Sequence, residues 1–154
     1  MSQASQQAVH IRKSYELSTP VDLDAILKGQ NLELTGFPLK GRVQEIIVGR
    51  HIGIKDSITS ARYRRELIAR ALGHHFLHAG NQLFSLNRTD LQRTLSQERE
   101  ARESAFHLLV PEKELKACLA QGMDLTEMAD HFQVTELFVQ ARCESLSLGK
   151  NLAW

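Results

Sequence analysis

The centre of the chain carries fourteen residues that read RELIARALGHHFLH, from Arg65 to His78. Apolar side chains return in this stretch at spacings of three and four, which is the periodicity of an α-helix with one buried face. The residues on that face are Leu67, Ile68, Ala71, Leu72, His75 and Phe76. The helical pattern begins near Ser57, so the sequence predicts a central helix over about 57–78.

Three of the seven histidines lie in this stretch, at positions 74, 75 and 78. Side chains four residues apart lie on the same side of a helix, so His74 and His78 could bind one metal ion together. A catalytic zinc also needs a third protein ligand. The glutamates of the next predicted helix that could supply it are Glu98, Glu100 and Glu103. The alternative is structural: His75 packs near the apolar face, while His74 and His78 are hydrogen-bonded or exposed.

Outward from the central helix, the sequence predicts a small sheet and further helices. Between Asn31 and Asp56, short apolar runs are broken by glycine and proline, which is typical of short antiparallel strands joined by tight turns. Asp124 and Glu127 have the spacing of a capping box. Helical patterns cover 7–16, 89–110, 112–121, 125–132 and 135–146, and a further helix begins at Ser18-Thr19-Pro20 and stops near Gly29. We therefore expect one α+β domain over 1–154, mostly helical, with a peripheral N-terminal arm (1–17) and a C-terminal helical pair (124–147).

The bulk composition excludes several classes of protein. Lys and Arg number 19 against 18 Asp and Glu, so the formal net charge of +1 is not that of a nucleic-acid coat or a ligand of anionic membranes. No apolar run reaches the roughly 18 residues of a membrane span, and the first residues lack the order of a signal peptide. Cys118 and Cys143 lie at apolar positions of predicted helices, which indicates reduced core thiols. We expect a cytoplasmic protein without a membrane partner.

Several segments in order along the chain resemble the ImmA/IrrE family of metallopeptidase-like proteins. The stretch from Arg65 to His78 resembles the family's active-site helix, and 20–27 with the strand-rich segment after it resembles the lead-in. The segment 98–111, with its Leu-Leu-x-Pro end, is similar to the second signature, and the tail 125–134 also fits. The resemblance implies a zincin-like fold. In that fold a His-Glu-x-x-His helix gives two zinc ligands and the general base, and a later glutamate gives the third ligand.

The family motif is incomplete when it is carried over residue by residue. Its second histidine falls on His74 and its third-ligand glutamate on Glu100, whereas its first histidine falls on Arg70 and its general-base glutamate on Ala71. Arginine stays protonated and has no lone pair to donate to a metal. Alanine has no carboxylate that could take a proton from zinc-bound water. Hydrolysis by the family's mechanism is therefore not expected.

Two arrangements of the site follow from these departures. In the first, Arg70 pairs with Glu100, so that a guanidinium and a carboxylate take the space of the metal and no cofactor is bound. A surface pair between Arg70 and Glu66, one helical turn earlier, is a weaker competitor. In the second arrangement, zinc is kept by the shifted set His74, His78 and Glu100, with Arg70 turned away.

The resemblance also implies a class of partner, because family members are typically associated with helix-turn-helix repressors in phage or mobile-element control. The first hypothesis is a catalytically degenerate regulator of transcription or mobile elements, which binds a repressor-type protein without cutting it. The second is an active zinc metallopeptidase that cleaves such a repressor through the shifted site, with Glu98 or Glu103 as base.

A third hypothesis is a DNA-binding regulator, because 125–132 and 135–146 resemble a helix-turn-helix pair. The expected reading face comprises Thr135, Glu136, Gln140 and Arg142. This face lacks the cluster of Lys and Arg that phosphate contacts require. Packing is therefore the preferred interpretation of the pair, and direct binding of nucleic acid is not expected.

Overall fold

The computed structural model describes residues 1–78 and 88–148, where three strands lie among seven helices. The helices are α1 (Gln3–Ser14), α2 (Leu23–Gly29), α3 (Ala61–Leu77), α4 (Arg88–Leu109), α5 (Glu112–Ala120), α6 (Leu125–Phe132) and α7 (Glu136–Ser145). The strands are β1 (Glu33–Phe37), β2 (Glu45–Val48) and β3 (His51–Lys55). No helix in the described ranges combines the length and the apolar composition that crossing a membrane requires. The predicted α+β class is confirmed.

The sheet has the strand order β1-β3-β2. β2 and β3 form an antiparallel hairpin, and Gly49 in its turn has a φ of +58°, a backbone conformation that favours glycine. β1 pairs with β3 in parallel, with Glu33 opposite His51. The small sheet is as predicted, but it is mixed rather than antiparallel throughout. The reason is that the chain passes from β1 to the far edge strand β2, and β3 then returns between the two.

Helix α3 is the centre of the fold. Ser60 caps it by accepting a hydrogen bond from the Tyr63 N–H, so the helix begins at Ala61 rather than at Ser57. It contacts the strands β2 and β3 and packs most extensively against α4. A Cβ placed on Gly73 would lie 3.0 Å from the Cα and the carbonyl oxygen of Ala101. The absence of a side chain at Gly73 therefore permits the close approach that brings the last turns of α3 beside α4.

The N-terminal segment, expected as a peripheral arm with a helix, forms a helix that packs against α4. α1 begins at Gln3, ahead of the predicted start near Gln7, because Ser2 caps it. It packs against α4 and buries Ala4, Ala8 and Ile11. Alanine contributes little to an apolar stripe, so the sequence pattern gave a weak signal for a helix whose contact face is made mostly of small side chains.

The C-terminal helices are held by caps and by a contact to α3. Asp124 and Glu127 form the predicted capping box at the start of α6. The carboxylate of Glu66 in α3 accepts hydrogen bonds from the Thr135 N–H at 2.7 Å and from the Thr135 hydroxyl at 3.1 Å. Because Thr135 is also the N-cap of α7, this contact ties α7 to the central helix. The free thiols, both buried as predicted, are Cys118 and Cys143.

Candidate functional site

Six polar side chains meet where the last turns of α3 face β2 and α4. Helix α3 and its C-cap residue present three of them at a spacing of four residues. They are Arg70 and His74 from α3, His78 at its C-cap, Glu45 from β2, and Glu98 and Glu100 from α4. Arg70, His74 and His78 therefore do come together. Two of their acidic partners differ from those expected from the sequence, because Glu45 pairs with Arg70 and Glu98 faces His74.

Arg70 pairs with Glu45 and not with Glu100, the partner expected from the sequence. Its Nε donates to Oε1 of Glu45 at 2.7 Å and its Nη2 donates to Oε2 at 2.8 Å, which is the bidentate geometry that guanidinium and carboxylate favour. The Glu45 side chain is 6% exposed and that of Arg70 is 31% exposed. Burial alone would lower the pKa of Arg70, but the contact with Glu45 raises it. The ion pair predicted to replace the metal is present with a different carboxylate, because β2 brings Glu45 alongside α3.

His74 lies deepest in the site, with 2% of its side chain exposed. Its Nε2 is 3.1 Å from Oε1 of Glu98, yet the contact lacks the direction of a hydrogen bond, and this buried Nε2 makes no hydrogen bond to any described residue. The contact with His74 is the main cause that lowers the pKa of Glu98, and the charges of Arg70 and His78 lower it further against the effect of burial. Glu98, not Glu100, is therefore the α4 glutamate that faces the motif histidine.

His78 bridges His74 and Glu100. Its Nδ1 lies 3.2 Å from Nδ1 of His74, and its Nε2 lies 3.0 Å from Oε2 of Glu100. Since each ring nitrogen of His78 points to a different partner, His74, His78 and Glu100 do not converge on one point. The shifted zinc set expected from the sequence is not assembled in the structure.

A different group of ligand atoms lies within reach of one metal ion. Among the described residues, Glu45, His74 and Glu98 offer atoms that all lie within 4.8 Å of one another. One imidazole and two carboxylates form a donor set that zinc accepts, and Nε2 of His74, which makes no hydrogen bond to a described residue, suits such a role. Arg70, however, engages both oxygens of Glu45, and its positive charge would repel a dication. With Arg70 in this position, the residues present do not fit a catalytic zinc.

Ala71, which the family resemblance places at the general base, has no group that could accept a proton. Ala71 is 1% exposed and contributes only a methyl group. Of the two glutamates considered as replacements, Glu103 contacts Ser2 and His107 instead of the site. Glu98 does face the site, but its lowered pKa makes it a weaker base than an ordinary glutamate.

Sequence reasoning missed Glu45 altogether. The one signal that could have found it is an acidic residue at the head of the otherwise apolar strand Glu45–Val48. Such a residue is ordinary at a strand end, and only the packing of β2 on α3 makes it the partner of Arg70. The spacing of Glu98 and Glu100 along α4 likewise left open which of them faces His74.

The expected DNA-reading face is used in part for packing. Arg142 is 2% exposed, and its Nε donates to the Val110 carbonyl at 3.1 Å. Thr135 is occupied by the contact with Glu66 and by the cap of α7. Arg142, the strongest potential phosphate ligand on this face, is therefore buried inside the protein.

A comparison with protein families agrees with the fold. The peptidase M78 family model, described as the IrrE N-terminal-like domain, matches residues 30–144, a range that contains the sheet, α3, Glu98 and Glu100. A search of curated proteins finds no match. Because the matched range covers most of the chain, and because the architecture is consistent with a zincin-like fold, the chain belongs to the IrrE N-terminal-like family, the ImmA/IrrE family that its sequence resembles.

Proposed function

We propose that this protein is a non-catalytic member of its family, which binds a segment of a protein partner and regulates transcription or a mobile element in that way. The observation that carries the proposal is the bidentate ion pair of Arg70 with Glu45 at the place of the motif's first histidine. Ala71, at the place of the general base, supports it. The two changes together remove a metal ligand and the proton acceptor that hydrolysis needs.

The β2 edge of the sheet is a surface on which a peptide could bind without being cleaved. In the order β1-β3-β2, the strand β2 pairs with β3 alone among the described strands, and it lies against α3 beside the Arg70 cluster. An extended peptide could add to this edge through main-chain hydrogen bonds, with side chains reaching the cluster. From the family resemblance, we propose that the peptide is part of a helix-turn-helix repressor, and that the chain acts in the cytoplasm.

The alternative function is an active zinc metallopeptidase that cleaves such a repressor. The buried Nε2 of His74, which makes no hydrogen bond within the described part of the chain, favours this alternative. It requires Arg70 to leave Glu45 so that Glu45, His74 and Glu98 become free to bind zinc. The donors would then hold the ion, which would polarise the peptide carbonyl and activate water. The buried position of Arg142 gives no support to a DNA-binding function.

The first test is the metal content of the untagged protein, purified without chelators and then exposed to zinc. We expect less than about a tenth of an equivalent of zinc by elemental mass spectrometry, because Arg70 competes for Glu45 and repels the ion. The matched variant is Arg70→His, which restores an imidazole at the motif position and is expected to bind about one equivalent. Stoichiometric zinc in the wild type, lost in His74→Ala, would overturn the metal-free proposal.

The second test uses a purified helix-turn-helix repressor as the partner. We expect a complex by size-exclusion chromatography, with the repressor intact by mass spectrometry after prolonged incubation with or without zinc. Replacing Arg70 by glutamate, which reverses the charge next to Glu45, should weaken the complex, whereas Arg50→Glu in the β2–β3 turn is the matched control. Specific cleavage of the repressor would establish the peptidase alternative instead.

A further inference from the structure

A second cleft lies outside the Arg70 cluster, between the second half of α4 and the helix α7. Its volume is about 460 Å³, and it is open to solvent. Its wall combines three arginines with an aromatic ring and an aliphatic side chain. These residues are Arg99, Arg102, Arg142, Phe106 and Leu146. None of them belongs to the cluster around Arg70, so the cleft is independent of the proposed function.

Arg142 at the base of the cleft is a buried charge that forms no ion pair with a described carboxylate, and the charges of Glu112 and Glu103 act on it only from farther away. Its Nε donates to the Val110 carbonyl, and its Nη2 lies 3.2 Å from Nδ1 of His107. Its guanidinium carbon lies 5.8 Å from the centre of the Phe106 ring. These neutral contacts involve Nε and Nη2, while Nη1 makes no hydrogen bond to a described residue. A buried guanidinium is costly unless an anion compensates it.

The carboxylates that line the same cleft are turned to other partners. Glu103 accepts a hydrogen bond from the Ser2 hydroxyl and lies 3.6 Å from Nε2 of His107. Glu144 accepts from Nε2 of Gln140 at 3.3 Å. Arg102 stacks over the same Phe106 ring, with its guanidinium carbon 5.2 Å from the ring centre. The cleft therefore holds positive charge beside an aromatic surface, and Glu103 reaches Arg142 only through His107, without pairing with the guanidinium directly.

We propose that the cleft between α4 and α7 is a binding site for a small organic oxyanion, a carboxylate or a phosphate with an apolar body. The guanidinium of Arg142 supplies the deep charge, and the exposed Arg99 and Arg102 supply further donors at the rim. Guanidinium groups match the two oxygens of a carboxylate or phosphate, and Phe106 and Leu146 offer the apolar contact. The ligand would tie α7 to α4 and so link the C-terminal helices to the helix that carries Glu98.

The test is a titration of the full chain by calorimetry, with sodium phosphate, phenyl phosphate and benzoate as separate probes at constant ionic strength. We expect saturable binding of one equivalent of at least one probe, with the two phenyl compounds distinguishing a phosphate preference from a carboxylate preference. Arg102→Gln and Arg99→Gln should each weaken binding roughly tenfold, the expected cost of losing a charge-assisted hydrogen bond. Arg50→Gln removes an equal charge from the exposed β2–β3 turn and should leave the affinity unchanged.

Two further readouts keep the proposal falsifiable. In nitrogen-15 NMR, the bound probe should shift the Nε–H signal of Arg142 more than that of Arg50. Arg142→Lys keeps the positive charge but loses the planar guanidinium, so the folded variant should bind the probe more weakly. If Arg142→Lys does not fold, the Arg99→Gln and Arg102→Gln variants test the site. No saturable binding of any probe, or an equal loss in Arg50→Gln and Arg102→Gln, would overturn the proposal.

Discussion

The two halves of α3 use their polar side chains in different ways. In the first half, Arg65 donates to the backbone carbonyls of Gln133 and Val21, both at 2.9 Å. Glu66 accepts from the backbone N–H and the hydroxyl of Thr135. These partners include main-chain groups, which exist whatever residue occupies the partner position. The first half therefore fastens the helix to the C-terminal helices and to the segment before α2.

In the second half, the partners are other side chains. Arg70 binds the carboxylate of Glu45, His74 contacts Glu98, and His78 lies between His74 and Glu100. Side-chain partners can be exchanged one by one without altering the backbone, whereas main-chain ties constrain the fold. The first half of α3 therefore ties the fold together, partly through main-chain groups, whereas the second half gathers the charged and imidazole side chains of the candidate site.

The largest effect is expected for Arg70→Ala. We predict a loss of about 3 kcal/mol in the free energy of unfolding, because the Glu45 carboxylate stays buried without its partner. Urea unfolding at neutral pH measures it. The double variant Arg70→Ala with Glu45→Gln should recover more than half of the loss. A loss of about 1 kcal/mol or less in Arg70→Ala, the range of exposed ion pairs, would mean that the second half is not a buried ionic site.

The second prediction concerns the structural half. Glu66→Ala should cost about 2 kcal/mol, because the Thr135 N–H loses its acceptor at the start of α7. The conservative variant Glu66→Gln keeps one acceptor oxygen and should cost less than half as much. Urea unfolding checks the difference, and hydrogen exchange should rise in α7. Equal free energies of unfolding for Glu66→Ala and Glu66→Gln would contradict a stabilising role for the hydrogen bond from the Thr135 N–H.

The third prediction tests the boundary between the halves. Gly73→Ala should cost about 1 kcal/mol net, because overpacking against the α4 backbone outweighs the better helix propensity of alanine. The added methyl group would push α4 away from α3. The imidazole NMR signals of His74 and His78 should therefore change, whereas Glu66→Gln should leave them unchanged. Unchanged imidazole signals in Gly73→Ala would show that the close approach does not position the site.

The smallest effect is a dependence on pH through Glu98. Its folded pKa is lowered, chiefly by His74, so its stabilising contribution is present above the ordinary glutamate pKa and is lost as the pH falls through the lower folded value. With a side chain 39% exposed, the contribution should be below about 1 kcal/mol. Unfolding of the wild type and Glu98→Gln at about pH 6 and pH 3 measures it. A larger difference in the free energy of unfolding between wild type and Glu98→Gln at the acidic pH would contradict the predicted direction of the pH dependence.

Much of the fold could be predicted because its signals are local. The period of the apolar residues located α3, and the capping box of Asp124 and Glu127 located the start of α6. The contact face of α1 escaped notice because alanines carry a weak pattern. The parallel pairing of β1 with β3 escaped notice because it depends on where the chain passes after β1, which no local signal records.

The candidate site likewise has features that the sequence predicted and features that only the fold determined. Residue identity alone established that Arg70 cannot bind a metal and that Ala71 cannot accept a proton, since these are properties of the side chains themselves. Which carboxylate pairs with Arg70, and which glutamate faces His74, depended on how β2 and α4 pack against α3. Chemical capacity belongs to a residue and can be read from its type. Which side chains contact one another depends on residues that are distant in the chain, and these contacts form only once the chain has folded.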